Sequence, residues 1–340
     1  MTSNQLDIEQ PGQLLEYLRG SGRIGASEVI QSTALSGGVS NRTVLVTRAS
    51  GKAWVMKQAL AQLRTKVEWF SDPMRIHREA AGIRWLGELA PPETIPKLIF
   101  EDHEHHLLAM EAVPAPHENW KMMLLQGRVE PKHVEQFAAI AGAIHRRAAE
   151  STQPLKNIFA DRSFFESLRL EPYYAYTATQ VPQAAEFLHE LIAQTRQRQL
   201  TLVHGDYSPK NILVHGGRLI LLDHEVIHWG DPTFDLGFAL THLLSKAHHL
   251  RQFHRQFYQA ASTFIDVYAA TVGPVYWDAN LQAMAVRHTL GCMLARVAGR
   301  STLEYLSDDE KRRQQGIIVE LMQHAPPTIE ALAGDFIGSL

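Results

Sequence analysis

Cysteine is all but missing. Cys292 is the single one in 340 residues, so neither an internal disulfide framework nor a cysteine-based zinc site is available within one chain. An excess of one charge is missing too: 33 Lys and Arg stand against 36 Asp and Glu, for a net charge of −3. Without a basic field, neither nucleic acid nor a membrane surface is the expected partner. No apolar run approaches the ~20 residues of a membrane span. The polar N-terminal stretch holds no basic segment followed by an apolar core, so no leader is expected and a cytoplasmic setting is. What is plentiful is apolar side chain, 45% of the residues, enough for a large core and for two lobes at this length.

The hydrophobic pattern divides the chain. Pro11 to Arg19 reads as a short helix with Leu14, Leu15 and Leu18 on one face. Two β-rich runs, Arg42–Arg48 and Lys52–Ala59, flank a turn at Ser50-Gly51 and predict a hairpin. A helix is expected next, with Asp72 as its cap and Pro73 in its first turn. Two further strands surround the polar turn at Asp102–His106. Pro114 and Pro116 end this β-rich part, so residues 1–113 are expected to form an N-lobe and 114–340 a C-lobe. The C-lobe reads mainly helical, with runs near Pro131–Glu150, Arg162–Leu170, Gln183–Gln199, Phe234–Lys246, Leu250–Thr271, Asp278–Ala298 and Asp308–His324. A β island at Thr201–Asp223 interrupts it.

That island carries chemistry. In "HGDYSPKNILVHGGRLILLD", a two-residue turn at Gly216-Gly217 sets His215 opposite Arg218 and Asn211 opposite about Leu222. Asn211 and Asp223 then stand at the same open end of a hairpin whose strands lie ~5 Å apart. Asp206 precedes that end by one tight loop. An amide oxygen and carboxylates converging there suit Mg²⁺. Taken singly, each is an ordinary turn residue.

In the N-lobe, Ser36-Gly37-Gly38-Val39-Ser40-Asn41 lets the backbone approach a ligand and offer N–H groups to phosphate, though a plain hairpin turn has the same composition. Register places Lys57 opposite Thr43, at the same end as this loop. In the following helix Ile76, Ala80, Ile83 and Leu86 form an apolar stripe with Glu79 at its edge. A carboxylate facing a core needs a partner, and Lys57 is the expected one. A surface pair of Arg75 with Glu79 is the alternative.

His204-Gly205-Asp206-Tyr207-Ser208-Pro209-Lys210-Asn211 resembles the catalytic loop of the aminoglycoside phosphotransferase and choline kinase family, small-molecule relatives of the protein kinases. Asp223-His224-Glu225 is similar to that family's metal-binding D-x-E segment, and Gly230-Asp231-Pro232-Thr233-Phe234-Asp235 to the segment that follows it. The Ser36–Asn41 stretch looks like its phosphate loop, and Leu108–Val113 like its adenine-binding linker. The resemblance implies an α+β, bilobal, protein-kinase-like fold and an ATP-dependent phosphotransferase acting on a hydroxyl of a small molecule. It implies Asp206 as the proton acceptor and Asn211, Asp223 and Glu225 as holders of Mg²⁺. Gly37, Gly38, Ser40, Asn41, Lys57 and Glu79 would serve the phosphates, and Glu111 and Val113 the adenine. His204 and Asp235 would brace the catalytic loop.

Lys210 departs from the pattern, standing where a glycine is common. It is expected either to contact the transferring phosphate or to lie solvated on the rim. A protein kinase is disfavoured because no D-F-G or A-P-E segment follows Asp223; a non-catalytic nucleotide-binding regulator is the other alternative. The turn at Asp102–His106 is read as solvated rather than metal-binding, and the run Lys311-Arg312-Arg313 as part of a mixed charged face. The acceptor and the oligomeric state are not legible in the sequence.

Overall fold

The computed structural model describes residues 6–35, 39–64 and 68–340. Helix α1 (Pro11–Gly20) opens with its proline in the first turn and buries Leu14 and Leu18. Strands β1 (Ile30–Ala34), β2 (Asn41–Arg48), β3 (Ala53–Ala59), β4 (Leu98–Asp102) and β5 (Leu107–Glu111) form one antiparallel sheet in the order β1-β2-β3-β5-β4. Strand alternation gives the sheet two different faces. Val44, Val46, Trp54 and Met56 pack with Leu14 and Leu18 of α1, while Ala59, Leu108 and Met110 pack with Ile76, Ala80 and Ile83 of helix α2 (Arg75–Leu89). Lys57 pairs with Thr43 on one side and Leu108 on the other, so its side chain emerges on the α2 face.

Helix α2 begins later than the sequence suggests. Asp72 does not cap it; its Oδ1 accepts from Met74 N at 2.9 Å in a local turn, and regular helix starts at Arg75. The side chain of Arg75 bonds back to the carbonyls of Ser71 and Asp72, both at 3.1 Å, which holds residues 71–74 in that turn.

Beyond the sheet, β6 (Glu118–Asn119) leads into α3 (Trp120–Leu125), α4 (Pro131–Glu150), α5 (Thr152–Ile158) and α6 (Ser163–Phe165). The chain continues as a π-helix over Glu166–Ala175, with Pro172 inside it, then as α7 (Tyr176–Gln180) and α8 (Ala185–Gln197). Wider π turns tolerate a residue without an N–H and recur where function needs an altered side-chain direction. Strand β7 (Thr201–Val203) pairs with β10 (His228–Gly230), and β8 (Ile212–His215) with β6 and β9 (Arg218–Leu221). Helices α9 (Thr233–His249), α10 (His254–Val272), α11 (Ala279–Ala298), α12 (Asp308–Gln323) and α13 (Ile329–Gly338) complete the lobe.

Helix α9 is buried over nearly its whole length, its polar Asp235, His242 and Lys246 included. It lies so close to α11 that a Cβ on Gly237 would stand 2.5 Å from His288 Cβ and 2.6 Å from the His288 carbonyl carbon. Among the described residues no helix is long and apolar enough to cross a membrane.

Candidate active site

The polar loop after β7 is held by a buried carboxylate. Asp235, in the first turn of α9, accepts the backbone N–H groups of His204 at 2.7 Å and Gly205 at 2.8 Å. His145 of α4 meets the same carboxylate at 3.2 Å. Burial pushes the Asp235 carboxyl up, but the bond from His145 and its neighbouring charges more than offset this and leave it below its ordinary value. Gly205 sits at φ +77, and a Cβ there would meet the Val226 carbonyl oxygen at 2.9 Å, so the sharp turn before Asp206 requires glycine. Tyr207 points away from the loop surface: it is buried, stacks on Phe137 at 4.3 Å and donates to the Phe137 carbonyl at 2.6 Å.

Asp206 is thereby fixed at the loop's tip. Its Oδ2 accepts from Asn211 Nδ2 at 2.7 Å and lies 3.1 Å from Arg169 Nη2. Arg169 comes from the π-helix, is buried, and also donates to the Gly205 carbonyl at 2.8 Å. All these contacts use Oδ2, so Oδ1 has no protein partner among the described residues. The hairpin register is as the sequence suggests: His215 faces Arg218, and Leu222 N donates to Asn211 O at 2.9 Å.

From β3, Lys57 Nζ donates to Glu79 Oε1 at 2.6 Å and to Asp223 Oδ1 at 2.7 Å. Glu79 is fully buried, and burial raises its pKa to about 7 against the opposing pull of Lys57. Burial disfavours the ammonium of Lys57, but Asp223 and Glu79 outweigh it and keep it protonated. Asp223 adopts φ +67, a left-handed conformation that aspartate tolerates. Burial raises its carboxyl, while Lys57 and Lys210 more than offset that and hold it below the usual range.

The surface pairing of Arg75 with Glu79 is not what forms. Arg75 is fully buried and turns toward Glu225, with Nε 3.2 Å from Oε2. Its Nη2 donates to the Leu60 carbonyl at 2.8 Å and also to the Ser40 carbonyl. Asn41 Nδ2 reaches the same Glu225 oxygen at 3.3 Å. One arginine thus joins the end of the loop before β2, the segment after β3, the start of α2 and the D-x-E segment.

Each of the three expected metal-holding side chains has one oxygen uncommitted among the described residues. Asn211 uses only Nδ2, Asp223 only Oδ1 and Glu225 only Oε2 in protein contacts. Carboxylate oxygens of Glu79, Asp223 and Glu225 lie within 4.8 Å of one another. A donor set of oxygens alone fits a hard divalent cation.

Of the other expected site residues, Ser40 and Asn41 are buried beside Glu225, while Gly37 and Gly38 lie outside the described residues. Glu111 ends β5 and is exposed. The amide and carbonyl of Val113, two residues on, make no hydrogen bond among the described residues. Lys210 is exposed and lines a cavity with Lys121, His242 and Arg296. Sequence reasoning missed Arg169, Lys121, Arg296 and Lys246, which lie far from the motifs. An arginine followed closely by Pro172 in a helical run was the one available signal for Arg169. The turn after β4 is solvated as expected, with His103 and Glu104 exposed, while His103 stacks on His77 of α2 at 3.9 Å and His77 Nε2 lies 3.4 Å from His106 Nδ1.

Residues 32–261 match the phosphotransferase enzyme family, and the chain belongs to that family. A methylthioribose kinase from Yersinia enterocolitica serotype O:8 / biotype 1B is 26% identical over 263 residues, which is 68% of this chain and 64% of that protein. The match thus spans less than two thirds of the relative's length. Among solved structures, amicoumacin kinase hAmiN in complex with AMP-PNP, Ca²⁺ and Ami superposes with a TM-score of 0.58 at 17% identity, covering 88% of this chain and 90% of that one. A choline kinase from Cryptosporidium parvum Iowa II gives 0.55 at 13% identity, covering 95% and 97%. At such identities the likeness is one of fold. That fold is α+β, bilobal and protein-kinase-like, as the motifs imply.

Proposed function

We propose that this protein is an ATP-dependent kinase that transfers the γ-phosphoryl group to a hydroxyl of a small molecule. The observation that carries this reading is a carboxylate, Asp206, with one oxygen locked by Arg169 and Asn211 and the other free, where Asn211 in turn pairs with Leu222, the chain neighbour of Asp223 in the Lys57–Asp223 pair. Phosphoryl transfer depends on positioning and on neutralising charge, and this arrangement supplies both. ATP is placed between residues 1–113 and 114–340. Its adenine meets the unpaired backbone of Val113 beyond Glu111, and its phosphates meet Lys57 and the loop of Gly37, Gly38, Ser40 and Asn41. Glu79 keeps Lys57 aimed and protonated. Asp206 Oδ1 accepts the acceptor's hydroxyl proton as the oxygen attacks phosphorus.

Asn211, Asp223 and Glu225 would hold Mg²⁺ through their uncommitted oxygens. That ion would supply charge neutralisation at the phosphates. Lys210 adds a positive charge on the acceptor side. The methylthioribose kinase relative, by its name, phosphorylates a small hydroxyl compound, which supports the same reaction class.

The test is ADP release over a panel of small alcohols, sugars and hydroxy acids, with wild type and Asp206→Asn compared. The expected result is turnover with at least one acceptor. In the variant, turnover should fall by ~10²-fold or more, the scale of a general base, with AMP-PNP affinity little changed. Wild-type turnover by D206N removes Asp206 from the base role.

A further inference from the structure

A cavity of about 290 Å³ opens beside the catalytic loop, lined by Lys121, Lys210, His242, Arg296, Thr302 and Glu304 among others. It lies just below the ~300–1,000 Å³ range of ligand sites for drug-sized molecules, a size that suits a small acceptor. Its walls are tied to the loop. Asn119 donates to the Lys210 carbonyl at 2.7 Å and caps α3, whose first turn carries Lys121. On the other side the Tyr173 ring lies between two guanidinium groups, 5.7 Å from Arg296 and 5.8 Å from Arg169, which itself holds Asp206.

The charge in this cavity is unbalanced. Lys121, Lys210 and Arg296 line it, and the fully buried Lys246 of α9 lies one turn from His242. The lining carboxylate is Glu304, and it is bonded to Lys121. Lys246 has only the His242 carbonyl, at 3.1 Å, and the Tyr305 ring, at 5.2 Å, as partners among the described residues. Burial pushes its pKa down to about 7, helped by Lys121 and Arg296 and opposed by Glu304. Arg296 Nε, His242 Nδ1 and Tyr305 OH are buried without a partner. Buried polar atoms are normally bonded, so three unpartnered ones among the described residues of this neighbourhood mark it as polar beyond what the protein's own groups satisfy. Every hydrogen bond of Arg296 leaves from Nη1, to Tyr173 OH at 3.0 Å and to the carbonyl and hydroxyl of Ser301. Nε is itself buried, which leaves Nη2, without a partner among the described residues, as the guanidinium donor available to a carboxylate.

We propose that this cavity selects an acceptor bearing a carboxylate as well as a hydroxyl, with the carboxylate seated on Nη2 of Arg296 between Lys121 and Lys210. The acceptor role rests on the kinase reading; the anion site does not. The same field disfavours amino alcohols and polyamino sugars, whose cations would meet uncompensated positive charge.

The test uses matched pairs: glycerate, 4-hydroxybutyrate and gluconate, each against its uncharged amide, with choline and ribose as cationic and neutral probes. Binding is measured by calorimetry on the full chain with AMP-PNP and Mg²⁺ present, and turnover by ADP release. At least one acid is expected to bind at least about tenfold more tightly than its amide, the scale of a charge-assisted paired contact. Arg296→Gln should abolish that preference. Because R296Q also loses its bonds to Ser301 and Tyr173, Lys121→Met serves as the second variant, with AMP-PNP affinity as the folding control. No acid preference for any pair, or turnover of choline or ribose without one, overturns the proposal. Acid-selective binding with no ADP release from any compound keeps the anion site and overturns the kinase reading instead.

Discussion

Arg75 offers the sharpest test of how the two lobes are held in register. It is fully buried, and its guanidinium serves the carbonyls of Ser40, Leu60, Ser71 and Asp72 as well as Glu225. Arg75→Met keeps much of the stem but removes all of these donors. Each charged hydrogen bond contributes ~1.5–3 kcal/mol, yet contacts in one network do not add. The better guide is the ~3–5 kcal/mol lost when one partner of a buried ion pair is removed, because Glu225 is left with only Asn41. A loss of about 4 kcal/mol corresponds to roughly 10³-fold faster opening where exchange follows local stability. Native-state hydrogen exchange of the β2 and β3 amides reads this directly. Arg75→Lys should behave nearly as badly, since one ammonium cannot reproduce the planar fan. Adding Glu225→Leu to R75M should return at least about 1 kcal/mol, because the stranded carboxylate is then gone. Acceleration below about tenfold in R75M, or strictly additive losses in the double variant, would refute the clasp.

The close crossing of α9 and α11 makes Gly237→Ala costly: the added methyl meets His288 backbone as well as side chain, and a loss of ~1–3 kcal/mol or more should lower the thermal midpoint. Burial pushes His228 and His288 down to about 4 from an ordinary 6.5. The unfolded chain therefore binds more protons between those values, and stability is full above pH 6.5 and falls toward pH 4 by about 3 kcal/mol per histidine. Urea titrations across that range, with His288→Asn as comparison, check the slope. Lys246, also depressed, acts in the same sense at higher pH: the unfolded state holds the extra proton between about 7 and 10.5, so stability rises across that window by about 5 kcal/mol. Lys246→Met should flatten this rise and should not destabilise the chain at pH 7. Lys210→Ala is expected to slow turnover; unchanged turnover would return Lys210 to the solvated rim.

The sequence by itself determined the local elements and the short-range geometry. Strand alternation and two turns set Lys57 against Thr43 and His215 against Arg218, because pairing register follows from turn length. The long helices were legible from periodicity, α4 and α11 nearly to the residue, because a dozen or more residues average over local noise. Helices α3 and α5 were not, since six or seven residues carry little period. Helix α13 follows two prolines and also escaped.

Only the tertiary structure decided which polar groups met across long separations. Glu79 at the edge of an apolar stripe demanded a cation, and Lys57 supplied it; nothing local could say that Arg75 would pass over Glu79 for Glu225, 150 residues away. Arg169 reached Asp206 from a π-turn whose altered side-chain direction no α-helical pattern encodes. The unbalanced charge around Arg296 and Lys246 belongs to three helices and two loops that are neighbours only in the folded chain. Short-range order is written in periods and turns, whereas a binding site is a sum of charges and vacancies that exists only after the helices have packed.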